Sequence, residues 1–178
     1  MLRLLLLAKS INFTEYSLLD TYVSHNEFGP LSAIYFQVMK NNSNYHILIT
    51  DDEKFLLKSL AMQMRRLGWQ ISTASDGNEA LQKLVELHDQ GETVDLILFD
   101  LTMPGLSGIE LLKKLREAEQ KVKMIAMSGN CDEATRDILI SHGCREILVK
   151  PFLMKDLVEI TERVMNGQEC SSTNPRSQ

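Results

Sequence analysis

Asp51 and Asp52 follow the apolar run Ile47-Leu48-Ile49 and Thr50, and Asp100 follows the run from Val94 to Phe99, which only Asp95 interrupts. Ser128 follows Met124 to Met127, and Lys150 follows Ile147-Leu148-Val149. Three carboxylates, a hydroxyl and an ammonium therefore close short hydrophobic segments at widely separated places in the chain. An aspartate in such a place is ordinarily a helix cap or a turn former, and each one alone reads that way. The set reads differently. Two carboxylates about 6 Å apart at an effective dielectric near 20 repel by roughly 3 kcal/mol. A divalent cation removes that repulsion, and an all-oxygen site suits Mg2+, which keeps several waters and takes one or two carboxylates. A metal, one reactive carboxylate, and a lysine and hydroxyl to receive anionic oxygens make a phosphoryl-transfer arrangement.

Such a site needs elements that bring these residues together. Ile47-Leu48-Ile49 is a short strand. A helix follows, with Leu57, Leu60, Met64 and Leu67 at steps of three and four and Gly68 where a C-terminal glycine cap belongs. Trp69 to Ala74 reads as a second strand, and Asp76-Gly77-Asn78 opens a helix with Leu81, Leu84 and Val85 as its apolar positions. Val94 to Phe99 suits a strand buried on both faces. Ser107 with Glu110 forms a capping-box pattern ahead of Ile109, Leu112 and Leu115. Met124 to Met127 is the fourth strand, Asp132 to His142 a helix ending at Gly143, and Ile147 to Val149 the fifth strand. The last helix carries Leu153, Leu157, Ile160 and Val164. Five strands alternating with five helices predict an α/β fold, a doubly wound parallel sheet of (βα)5 type. In such sheets ligands lie beyond the carboxyl ends of the strands, where the polar residues stand.

Composition narrows the function classes. The chain has 178 residues, with 19 Lys and Arg against 24 Asp and Glu, a net charge of -5. That balance disfavours a nonspecific nucleic-acid surface. No apolar stretch approaches the roughly 18 residues of a membrane span, and Leu4 to Ala8 is shorter than a secretory core. Cys131, Cys144 and Cys170 lack C-x-x-C spacing and read as free thiols in a reducing cytoplasm. The four histidines form no metal-binding spacing. Residues 1–43 show no sustained period and run into the polar stretch Lys40 to Asn44. They read either as a weakly ordered extension or as a leader ahead of a start at Met39. Residues 44–166 read as the globular unit and 167–178 as a disordered tail.

The segments I-L-I-T-D-D-E (47–53), L-I-L-F-D-L-T-M-P-G-L-S-G-I-E-L (96–111), M-I-A-M-S-G (124–129) and I-L-V-K-P-F (147–152) carry a family likeness. The pattern resembles the receiver domain of two-component response regulators over residues 44–166, which has a flavodoxin-like fold. The resemblance implies that Asp100 is the phosphoacceptor and that Asp51, Asp52, Asp100 and the carbonyl of Thr102 hold Mg2+. It further implies that Ser128 bonds the phosphoryl group, that Lys150 pairs with it, and that the Lys150-Pro151 bond is cis. A histidine kinase or phosphotransfer protein would be the donor. The family commonly has Tyr or Phe three residues before the lysine, and Ile147 stands there. The aromatic readout is therefore in doubt, while the phosphorylation chemistry should survive. Thr102 and Asn130 occupy positions that the resemblance links to phosphate lifetime.

The expected function is a stand-alone signalling switch, not an enzyme in the ordinary sense, that takes part in its own phosphoryl transfer and dephosphorylation. After Lys150 one helix and a short tail remain, too little for a DNA-binding domain. The expected output is then binding to an unknown downstream protein, or onward relay of the phosphate. A phosphate-independent receiver-like binding module is the alternative; its mark would be loss of Asp51, Asp52, Asp100 or Lys150, and all are present. A haloacid-dehalogenase-type hydrolase wants Asp where Thr102 stands. A flavodoxin-like redox protein wants a phosphate-cradling loop where Asp51 and Asp52 stand.

Overall fold

The computed structural model describes residues 45–144 and 146–167. The readings made for residues 1–43 and for the tail beyond 167 lie outside the described residues. The elements alternate as β1 (His46–Thr50), α1 (Lys54–Arg66), β2 (Gln70–Ala74), α2 (Gly77–Asp89) and β3 (Leu96–Asp100). They continue as α3 (Gly108–Glu117), β4 (Lys123–Ser128), α4 (Glu133–Ser141), β5 (Glu146–Val149) and α5 (Met154–Met165). The strands form one parallel sheet in the order β2-β1-β3-β4-β5. Strand order reverses beside β1, so the crevice beyond the ends of β1 and β3 is where such a sheet receives a ligand.

β1 and β3 are buried along their whole length, which is why both read as unbroken apolar runs rather than alternating ones. Leu48, Ile97, Phe99 and Ala126 face one side, where they join Ala80 of α2, Leu111, Leu112 and Leu115 of α3, and Leu139 of α4 in a single core. The intervening residues Ile47, Ile49, Leu98 and Ile125 point to the opposite face, since side chains alternate along a strand. α1 and α5 supply that face with Leu57, Leu60, Met64, Leu157 and Ile160, all buried.

Helix ends follow local chemistry. Gly68 has φ +93°, a left-handed turn that a side chain resists, and stops α1 where the sequence places its cap. Asp76 accepts from the amides of Asn78 and Glu79 at the start of α2, and the Ser107–Glu110 capping box forms at the start of α3. Arg116 ties three segments together by donating to the carbonyls of His142, Gln120 and Val122. No helix among the described residues is long and apolar enough to cross a membrane.

Two apolar expectations fail. Val85 is 61 % exposed, because α2 turns Ala80 and Leu87 inward and leaves Leu81 and Leu84 at the margin. Leu153 is exposed because it precedes α5 as its N-cap residue; the buried stripe is Leu157, Val158, Ile160 and Thr161. A step of four from Leu157 extends the period beyond the point where the helix exists.

Candidate functional site

Parallel pairing sets the site. Thr50 lies opposite Phe99 across the β1–β3 pair, so Asp51 and Asp100 leave the sheet side by side. Asp100 pairs in register with Met127 of β4, and Ser128 with Val149 of β5, which brings Ser128 and Lys150 to the same edge. The amide of Lys150 donates to the carbonyl of Ser128 at 2.8 Å, fixing the last strand end against its neighbour.

The carboxylates of Asp51, Asp52 and Asp100 converge, with ligand atoms all within 4.8 Å of one another. Asp51 is wholly buried and Asp100 is 8 % exposed, so their charges need partners. Asp51 Oδ1 accepts from the Glu53 amide at 2.8 Å, and its Oδ2 accepts from Lys150 Nζ at 2.7 Å. Asp100 Oδ1 accepts from the Thr102 amide at 3.0 Å, and its Oδ2 accepts from Lys150 Nζ at 2.5 Å. Asp52 is exposed and makes no hydrogen bond or ion pair among the described residues. Burial opposes the Lys150 charge, but hydrogen bonds and charge from Asp100 and Asp51 together outweigh it and hold the ammonium above its ordinary pKa.

The donor set fits the cation that the resemblance implies. Three carboxylates face one small volume with a single ammonium between two of them, leaving a net negative site of hard oxygen donors. The unpartnered carboxylate of Asp52 opens it to solvent, as a hydrated ion requires.

Gly108, at the first turn of α3, explains how the chain stays close around Asp100. A Cβ there would lie 2.2 Å from the Asp100 carbonyl oxygen and 2.8 Å from the Phe99 ring. Only a residue without a side chain lets α3 start against the end of β3. The motif contains this glycine, but its steric reason appears only with the fold. Ser128 is placed at the edge as expected, yet its hydroxyl is engaged locally: Oγ donates to the Asn130 carbonyl and accepts from the Asn130 amide at 3.2 Å. The Lys150–Pro151 bond is cis, as the resemblance implies. Ile147 is half-buried and packs on the α2–α4 side of the core.

A five-stranded parallel sheet with helices on both faces and an acidic pocket crossed by a lysine defines the class of receiver folds. The chain belongs to it: residues 47–162 match the response regulator receiver domain. Among relatives, it is 29% identical over 129 residues to the alkaline phosphatase synthesis transcriptional regulatory protein PhoP of Bacillus subtilis, covering 72% of this chain and 52% of that protein. The chain thus spans about half the length of the curated relatives it matches. A CheY-like receiver domain protein from Methanospirillum hungatei superposes with a TM-score of 0.63 at 27% identity, over 71% of this chain and 97% of that one. A chain of the CheX–CheY–BeF3–Mg2+ complex from Borrelia burgdorferi gives 0.60 at 28% identity, over 71% of this chain and 90% of that one. Receiver domains are the signalling switches of two-component systems; they bind Mg2+ at an acidic pocket and interact with histidine kinases or phosphotransfer proteins.

Proposed function

We propose that this chain is phosphorylated on Asp100 by a histidine kinase or phosphotransfer protein, with Mg2+ at Asp51, Asp52, Asp100 and the Thr102 carbonyl. The observation that carries the reading is Lys150 Nζ seated between Asp51 and Asp100 in a pocket with a third, unpartnered carboxylate. Asp100 is a carboxylate and needs no general base. An oxygen lone pair of Asp100 forms the new P–O bond as the bond to the donor's nitrogen breaks, and that nitrogen keeps the electron pair. Mg2+, when bound, neutralises charge on the transferring oxygens. Lys150 then turns from the free carboxylate to the phosphoryl oxygens, and Ser128 leaves Asn130 to donate to the same group.

The donor has a place to rest beside the site. Phe55, 88 % exposed in the first turn of α1, stands three residues after Asp52 between the exposed Lys54 and Lys58. It suits an apolar donor surface with acidic margins. The output face is α4, β5 and the start of α5, where Val149 and Leu153 are exposed next to Ser128 and Lys150. A downstream protein binding there reads the phosphorylated state in the cytoplasm, and residues 44–166 form the unit that does so.

The test is incubation with acetyl phosphate and Mg2+ followed by intact-protein mass measurement. One added phosphoryl group is expected, labile to hydroxylamine, absent in Asp100→Ala and lost on chelation. A modification that persists on Ser or Thr, or none in any buffer, overturns the reading.

A further inference from the structure

The loop that carries Thr102 runs from β3 to α3, and it is held from outside by the first residue of α2. Gly77 is buried there, and its amide donates to the Leu106 carbonyl at 3.2 Å. A Cβ on Gly77 would meet that same carbonyl oxygen at 2.6 Å, and Leu106 Cδ2 and Cβ at 2.9 and 3.0 Å. One position along, the Asn78 side-chain amide lies 3.6 Å from where a Gly105 Cβ would stand, so two consecutive residues of α2 cover two consecutive residues of the loop.

α2 is anchored by Ala80 and Leu87, which are buried against the rest of the fold, and its first turn is held in shape by local bonds. Asp76 Oδ1 accepts from the Asn78 and Glu79 amides at 2.7 and 3.0 Å. Glu79 Oε2 accepts from the Ser75 amide at 2.7 Å and its hydroxyl at 2.5 Å. With Ala80 three residues on already fully buried, an atom added at Gly77 displaces the loop rather than the helix. The loop cannot absorb that at its far end, where Gly108 already sits against the Asp100 carbonyl. The displacement must pass back along residues 102–105, whose first amide is bonded to Asp100 Oδ1.

We infer that Gly77 is a positioning residue for the phosphorylation site: it sets the β3–α3 loop so that Thr102 presents its amide to Asp100 and its carbonyl toward the cation. The carbonyl half of this inference rests on the metal reading above; the amide half does not. The experiment separates them. In metal-free full-length Gly77→Ala, exchange of the Thr102 amide is followed by NMR, and Mg2+ affinity is measured by titration calorimetry. Thr102 exchange at least tenfold faster than in the unsubstituted protein is expected, with Mg2+ bound about tenfold more weakly. The phosphorylation rate at saturating Mg2+ should return to within about twofold, a split that general destabilisation would not give. Asp76→Ala, which removes only a helix cap, serves if Gly77→Ala does not fold; it should move both readouts the same way by a smaller factor. A Thr102 amide unchanged in the folded variants overturns the inference. A shifted Thr102 amide in a protein that binds no Mg2+ even unsubstituted keeps Gly77 as a positioning residue for Asp100 and sinks the metal reading instead.

Discussion

Lys150 Nζ lies 2.7 Å from Asp51 Oδ2, although 99 residues separate the two along the chain. The same ammonium bonds Asp100, so one cation is shared between two buried carboxylates. Lys150→Met leaves both uncompensated. Removing one partner of a buried pair costs about 3–5 kcal/mol, and because the Lys150 side chain is 21 % exposed, the lower end applies. Chemical denaturation in chelator should show that loss. Mg2+ should bind the variant more tightly than the unsubstituted protein, since no ammonium competes for the carboxylates; weaker binding by calorimetry contradicts the shared-site geometry.

Asp52 behaves in the opposite way. It is exposed and makes no hydrogen bond or ion pair among the described residues, so Asp52→Asn should leave the metal-free unfolding temperature unchanged or slightly raised as like-charge repulsion eases. Mg2+ affinity should fall by about tenfold or more, equivalent to roughly 1.4 kcal/mol. A large drop in unfolding temperature with affinity intact would show Asp52 to be structural.

Ile147 stands where the family resemblance implies a ring, and it packs half-buried against the core. Ile147→Ala should cost about 1–2 kcal/mol, less than a fully buried large-to-small change. Phosphorylation of Asp100 should proceed at its ordinary rate, which intact-protein mass measurement would follow. Loss of phosphorylation in a folded variant would place Ile147 in the chemistry rather than in the packing.

Burial pushes the Cys144 thiol up to about 12. The folded chain thus keeps a proton that the unfolded chain gives up near its ordinary value of 9.0. The stability this proton confers is full below pH 9.0 and declines as pH rises from there toward about 12. Cys144→Ala should flatten that part of the stability profile, and iodoacetamide at pH 8 should label Cys144 only in denaturant. Labelling of Cys144 in the native protein would contradict its burial.

Four of the strands and the order of the site were legible because each polar site residue closes a short, mostly apolar run, and parallel pairing carries every such terminus to one edge. Asp51, Asp100 and Lys150 could be grouped that way without knowing a distance. Contacts between loops were not legible. The fit of Gly77 against Leu106 and the capture of the Ser128 hydroxyl by Asn130 depend on how two turns meet, and no periodicity encodes that. Val85 and Leu153 mislead for a related reason. A hydrophobic residue at helical spacing says nothing about whether the helix has begun, or which flank its neighbours leave open.

The Ser128 hydroxyl has a further consequence. Its proton already rests on the Asn130 carbonyl, so drawing it toward a phosphoryl oxygen trades one acceptor for another. Such an exchange favours the phosphoryl oxygen, since a hydrogen bond to a charged acceptor is worth about 1.5–3 kcal/mol against about 1 kcal/mol for a neutral one. Under the proposed function, the loop from Ser128 to Asn130 would change its setting for a difference of only a few kcal/mol. A partner protein that favours the same setting would add to that difference, and so would share in setting the signal rather than only read it.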